Sequence, residues 1–89
     1  MNEMASLFMK AKEPREIKLL LQDLLTPTEL KIIRERLQIV KRLLKGETQR
    51  SVKDQLGVAI ATVTRGSQVL QHGNGSFQKF LKRKDHYEH

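Results

Sequence analysis

The chain has 89 residues and a formal net charge of +7, from 17 Lys+Arg against 10 Asp+Glu, with no Cys and no Trp. This length allows one domain, residues 1–89, and the missing cysteines exclude a disulfide framework, a thiolate metal site and a cysteine nucleophile. No apolar run is long enough to cross a bilayer and no secretion signal opens the chain, so a cytoplasmic protein without membrane attachment is expected, with a polyanion first among partners.

Prolines at Pro14 and Pro27 and glycines at Gly46, Gly57, Gly66, Gly73 and Gly75 cut the chain into short pieces. β-branched alternation is absent and Leu, Lys, Gln, Glu, Arg and Ile fill the intervals, so the expectation is an all-α fold of about five to six short helices. Residues 1–12 are a helix candidate with Met4, Leu7 and Phe8 on one side. Residues 13–25 follow, with Pro14 in the first turn and Ile17, Leu20, Leu21, Leu24 and Leu25 at three- and four-residue spacing. Thr26-Pro27-Thr28-Glu29 is a helix start: Thr26 as N-cap, Pro27 as first helical residue, Glu29 near the positive end of the dipole. That helix runs to Lys45 and stops at Gly46.

On this third helix Leu30, Ile33, Leu37, Val40 and Leu44 form one apolar stripe, and Ile32, Ile39 and Leu43 a second. Lys31, Arg34, Glu35, Gln38, Lys41, Arg42 and Lys45 take the remaining face. A helix apolar over half its circumference packs on two sides, and a chain this short has little material to cover both, so a homodimer is implied. Arg36 projects between the stripes. It is either an arginine that snorkels or pairs with an acid at an interface, or a planar guanidinium lining a ligand pocket suited to a carboxylate or an aromatic ring.

Beyond Gly46, Val52 and Leu56 lie one turn apart on a short helix, Gly57 makes a sharp turn, and Val58 and Val63 hold a second helix across the first. This is a helix-turn-helix pattern. Ile60, Ala61, Thr62 and Thr64 crowd the start of the second helix, where short side chains let the backbone approach base edges and threonine offers a donor, an acceptor and a methyl. Gln49, Arg50 and Lys53 lie on the first helix, which crosses the phosphate backbone in this motif. Helix–Gly–helix also occurs in bundles that bind no DNA.

Leu25-Thr26-Pro27, Arg36, Leu43-Leu44-Lys45-Gly46-Glu47, Gln49-Arg50 and Ile60-Ala61-Thr62-Val63-Thr64-Arg65-Gly66-Ser67 resemble the bacterial tryptophan repressor family. The resemblance is close over residues 20–70 and looser over the last helix. It implies an intertwined all-helical homodimer that binds L-tryptophan as corepressor, needs no other cofactor, and represses tryptophan biosynthesis and transport genes by binding operator DNA. Carried over by position, Arg36 and Arg65 resemble the two arginines that sandwich the indole, Arg65 also meeting the ligand carboxylate. Thr26 resembles the threonine that reaches that carboxylate across the dimer, with the Leu25 carbonyl near the amino group and Gly66 keeping the pocket floor open. Val69 stands where the family has a serine near the amino group, Asp23 replaces an apolar residue by the same pocket, and Ala59 stands where glycine is favoured. Residues 49–72 resemble the DNA-binding segment, with Gln49, Arg50 and Lys53 on backbone or groove edge and Ile60, Ala61, Thr62 and Thr64 on bases, directly or through water.

No Ser-His-Asp order, P-loop or carboxylate pair points to an enzyme. His72 borders a glycine-rich turn, and His86 and His89 sit in the C-terminal tail without a third anchored ligand. Lys79, Lys82, Arg83 and Lys84 form a basic end to the last helix, solvated or meeting phosphate, and Phe77, Phe80 and Leu81 are expected in the core. The alternatives to a tryptophan-dependent repressor are a same-fold regulator with another effector or none, and a protein-interaction module.

Overall fold

A computed structural model describes residues 1–81, and among these every regular element is a helix. In order they are α1 Asn2–Met9, α2 Pro14–Leu24, α3 Pro27–Leu44, α4 Gln49–Leu56, α5 Ile60–His72 and α6 Ser76–Leu81. The all-α expectation holds. The tail beyond Leu81, with Lys82, Arg83, Lys84, His86 and His89, lies outside the described residues.

Local chemistry sets the helix starts. Pro14 occupies the first turn of α2, and Glu13 and Glu16 form a capping box in which Glu16 Oε1 accepts the Glu13 N–H at 3.1 Å. The Thr26 start of α3 is also a full box: Glu29 N–H donates to Thr26 Oγ1 at 3.1 Å, and Thr26 N–H donates to Glu29 Oε1 at 2.8 Å. Thr48 caps α4, its Oγ1 accepting the Ser51 N–H at 3.1 Å. Replacing Thr48 by Ala is expected to cost about 0.5–2 kcal/mol, read as a lower urea midpoint at unchanged slope, with Thr48→Ser close to the parent.

The α4–α5 connection is tight. Gly57 takes the left-handed conformation, φ +67° and ψ 33°, and the N–H groups of Gly57 and Val58 both donate to the Lys53 carbonyl, at 2.9 and 3.3 Å. A side chain at this φ would be strained, which is why glycine ends the helix here. At the far end of α5, Gln78 Nε2 donates to the Leu70 carbonyl at 2.7 Å and ties α6 to it.

The chain divides into two compact units, Met1–Ile33 and a second that begins at Arg34. In the first, α1 and α2 contain no buried residue: Leu7, Phe8, Leu20, Leu21 and Leu25 are half-buried, and Met4, Ile17, Leu19 and Leu24 are exposed. The second holds the core, where Ile39, Val52 and Val63 are fully buried together and Leu43, Leu56 and Val58 pack around them. Val40 is buried as well. Each such side chain contributes about 1.5–3 kcal/mol of burial.

The two stripes of α3 are therefore only partly used. Val40 represents the first and Ile39 the second, whereas Ile32, Ile33 and Leu37 remain exposed, because one chain does not cover so wide an apolar arc. The expectation for the last helix also needs correction. Phe77 and Leu81 are half-buried, but Phe80 is 57% exposed. Its ring lies 5.4 Å from the Lys79 ammonium rather than in the core.

Candidate nucleic-acid interface and effector residues

Burial decides which way α5 faces. At about 100° per residue, Val63 and Gly66 point to one side, and both are buried. Ile60, Ala61, Thr64 and Arg65 occupy the opposite arc, and all four are exposed; Thr62 sits at the margin, half-buried. On α4 Val52 is the buried anchor, which leaves Arg50 exposed and Gln49 and Lys53 half-exposed. Ala59 precedes α5 in an extended conformation, φ −70° and ψ 148°. Any residue adopts that backbone, so alanine in place of glycine brings no strain there.

Side-chain bonds join part of this surface. The Thr64 hydroxyl donates to Gln49 Oε1 at 3.3 Å and links α5 to the first residue of α4. Lys53 Nζ lies 3.4 Å from Asp54 Oδ1; the pair is open to solvent and contributes little. Arg42 Nη1 meets Glu47 Oε1 at 3.3 Å, pinning the α3–α4 turn to the last turn of α3.

Gly66 is a close approach of α5 to α3. A Cβ built at Gly66 would stand 2.7 Å from Ile39 Cγ2 and 3.9 Å from Val40 Cγ2. What the missing side chain admits in this structure is the Ile39 methyl, and the absence of a Cβ lets the two helices cross at short distance. Arg36 lies one helical turn before Ile39, half-buried and with no ion pair among the described residues. Arg65 is the neighbour of Gly66. Each arginine thus lies within one turn, along its own helix, of the Ile39–Gly66 contact, Arg36 half-buried and Arg65 on the exposed arc of α5. Val69, one turn beyond Arg65, is half-buried, and its carbonyl accepts the Gly73 N–H at 2.9 Å.

Leu25 and Thr26 belong to the first unit. Leu25 leaves α2 in an extended conformation, φ −117° and ψ 145°. The Thr26 hydroxyl, occupied as acceptor by Glu29 N–H, keeps its own proton free to donate. Asp23 is exposed and borders a shallow depression shared with Leu7, Lys10, Glu16 and Leu20. Among the described residues no three His, Asp or Glu side chains come together as a metal site.

The structure adds three features to those read from the sequence: the Thr48 cap, the Gln49–Thr64 bond and the Gly66–Ile39 contact. Thr48 carries a signal, since a threonine directly before a short amphipathic helix is a favoured N-cap. The other two join residues far apart in the chain and leave no local trace.

Residues 1–85 match the family model described as Trp repressor protein. Among curated proteins, the chain is similar to a Trp operon repressor homolog of Vibrio vulnificus (strain YJ016), 47% identical over 60 residues, covering 66% of this chain and 59% of that protein. A Trp operon repressor homolog of Vibrio parahaemolyticus is 39% identical over 81 residues, covering 90% of this chain and 79% of the relative. One of Vibrio campbellii is 36% identical over 81 residues, with 90% and 81% covered. The chain thus spans about three fifths of the first relative's length, 59%, and more of the other two. No solved structure matches it.

Proposed function

The chain belongs to the Trp repressor protein family, and on that premise we propose that it is a DNA-binding transcriptional repressor, a homodimer activated by L-tryptophan. In this reading residues 49–72 grip double-stranded operator DNA, and the target genes serve tryptophan biosynthesis and transport. The observation that carries it is the outward arc of α5. Val63 and Gly66 are buried on one side of the helix, and Ile60, Ala61 and Thr64 are exposed on the other, Thr64 bonded to Gln49 of α4, the helix that also carries Arg50 and Lys53. Cationic side chains for phosphate next to short side chains for base edges are the two components that DNA recognition needs. The family match over residues 1–85 runs through both units and supports one functional domain.

The homodimer is supported by the apolar surface that one chain leaves uncovered: Ile17, Leu19, Leu24, Ile32, Ile33 and Leu37 are all exposed. Known helix-turn-helix dimers, Trp repressors among them, set their recognition helices about 34 Å apart, one turn of DNA. L-tryptophan would act by favouring that spacing. It does so only to the extent that it binds the DNA-competent state more tightly than the other. Arg36 and Arg65 would take the two faces of the indole, Arg65 also meeting the carboxylate and Val69 lying near the ammonium; by the family resemblance Thr26 would reach the carboxylate from the other protomer of the dimer, with the Leu25 carbonyl near the ammonium. Gly66 sets how close α5 lies. No other cofactor or catalytic step is invoked, and among the described residues no helix is long and apolar enough to cross a membrane; the proposed setting is the cytoplasm.

The test is a titration of a labelled duplex, selected by the protein from a random pool, across a range of KCl with and without L-tryptophan. Affinity is expected to fall with salt, and Arg50→Ala or Lys53→Ala each to lower the log–log slope by about 0.9. Salt-dependent binding indifferent to L-tryptophan would favour a regulator with another effector, a reading to which Val69 in the serine position gives weight. Absence of salt-dependent binding would leave a protein-interaction module.

A further inference from the structure

The bond between Thr64 and Gln49 spans 15 residues and is, among the described residues, the side-chain hydrogen bond that joins α4 to α5. Both partners belong to the surface proposed to meet DNA, so any part the bond plays in recognition rests on that reading. The direction of the bond matters. A hydroxyl has one proton, and Thr64 spends it on Gln49 Oε1. The Gln49 amide is thereby oriented with its NH2 group turned away from Thr64, both protons available. The Thr64 oxygen is left with lone pairs only.

We propose that Thr64 is a positioning residue for Gln49, holding its amide as a preset donor for an acceptor atom on DNA. Glutamine is among the side chains that lose most rotamer freedom when fixed, and fixing it before association removes that cost from binding. The acceptor is either a base edge in the major groove (a purine N7, guanine O6 or thymine O4) or a phosphate oxygen; both take an N–H donor.

The experiment is a double-mutant cycle in DNA affinity on the duplex selected by the wild-type protein, with Gln49→Ala, Thr64→Val and the double variant, and with Thr64→Ser as the conservative control. Each single loss is expected to be about three- to tenfold, the span of one ordinary hydrogen bond. The double variant is expected to be no worse than the weaker single variant, and Thr64→Ser, which keeps the hydroxyl, to bind within about twofold of the parent. Repeating the titration on duplexes altered one base pair at a time separates the two acceptors. A loss in Thr64→Val that vanishes when one base pair is changed assigns a base edge. A loss uniform over all duplexes assigns phosphate, with the salt slope unchanged because neither Gln49 nor Thr64 carries a charge. Losses that multiply in the double variant, or a Thr64→Ser variant as weak as Thr64→Val, would overturn the positioning role while leaving the DNA-binding reading intact. Failure of the wild-type chain to bind any duplex in a salt-dependent way would remove both.

Discussion

Ile39→Ala and Gly66→Ala are each expected to destabilise the protein, and the double variant to be more stable than the sum of the two losses implies. Ile39 is fully buried, and truncating such a side chain to alanine costs about 2–5 kcal/mol. In a chain of this size that is a large fraction of the total, since whole domains hold only about 5–15 kcal/mol. Gly66→Ala acts in the opposite sense, by adding volume. Its methyl would arrive 2.7 Å from Ile39 Cγ2, a group on a stiff β-branched carbon that has little freedom to turn aside. Overpacking of this kind costs about 1–3 kcal/mol, of which the better helix propensity of alanine returns about 0.5–1 kcal/mol. In the double variant the new methyl enters space that Ile39 has vacated, so the strain disappears and part of the cavity fills. Urea denaturation of the three variants at one fixed protein concentration measures the coupling. Additive losses would mean that the two residues do not share this contact in solution.

L-tryptophan is expected to bind at one site per chain in a calorimetric titration, and Arg36→Ala or Arg65→Ala to weaken it about 10- to 100-fold. The magnitude comes from the chemistry of a guanidinium: a charge-assisted hydrogen bond to a carboxylate is worth about 1.5–3 kcal/mol, and a cation over an indole face about 0.5–2 kcal/mol. Arg36 is half-buried and Arg65 exposed, and neither belongs to the buried cluster, so the helical content of both variants should match the parent. Lysine is a poor substitute at either position, because a point charge neither stacks as a plane nor forks onto a carboxylate. Affinity unchanged in both variants would place the effector elsewhere or make it a different molecule.

The parts of this protein that one stretch of chain determines are legible in the residues alone. Thr26-Pro27 starts a helix because a hydroxyl and a ring act on the next few residues, and Gly57 turns the chain because of its own backbone freedom. The pairing of Val52 with Val63 is legible too, since apolar spacing on two short helices with a tight turn between them leaves few ways to pack. Phe80 departs from its expected place because helical spacing identifies a shared face without saying whether anything covers it, and 57% of that residue stays open. Ile33 and Leu37 teach the same lesson on α3. At the candidate site, Gln49 and Thr64 each stand out for their chemistry. That one would hold the other depends on the crossing of α4 and α5, which no local pattern encodes. The resemblance assigns Gly66 to a pocket floor. Only the fold reveals that the place of its missing carbon is taken by Ile39.

That last contact also bears on how such a sequence drifts. Shrinking position 39 first opens a hole, and enlarging position 66 first creates a clash, so either step alone leads downhill in fitness wherever stability is marginal. A lineage carrying isoleucine at one place and glycine at the other is held there by the partner residue as firmly as by any ligand. Related chains should therefore keep both or exchange both, and glycine at 66 would persist even in a descendant that had abandoned its effector.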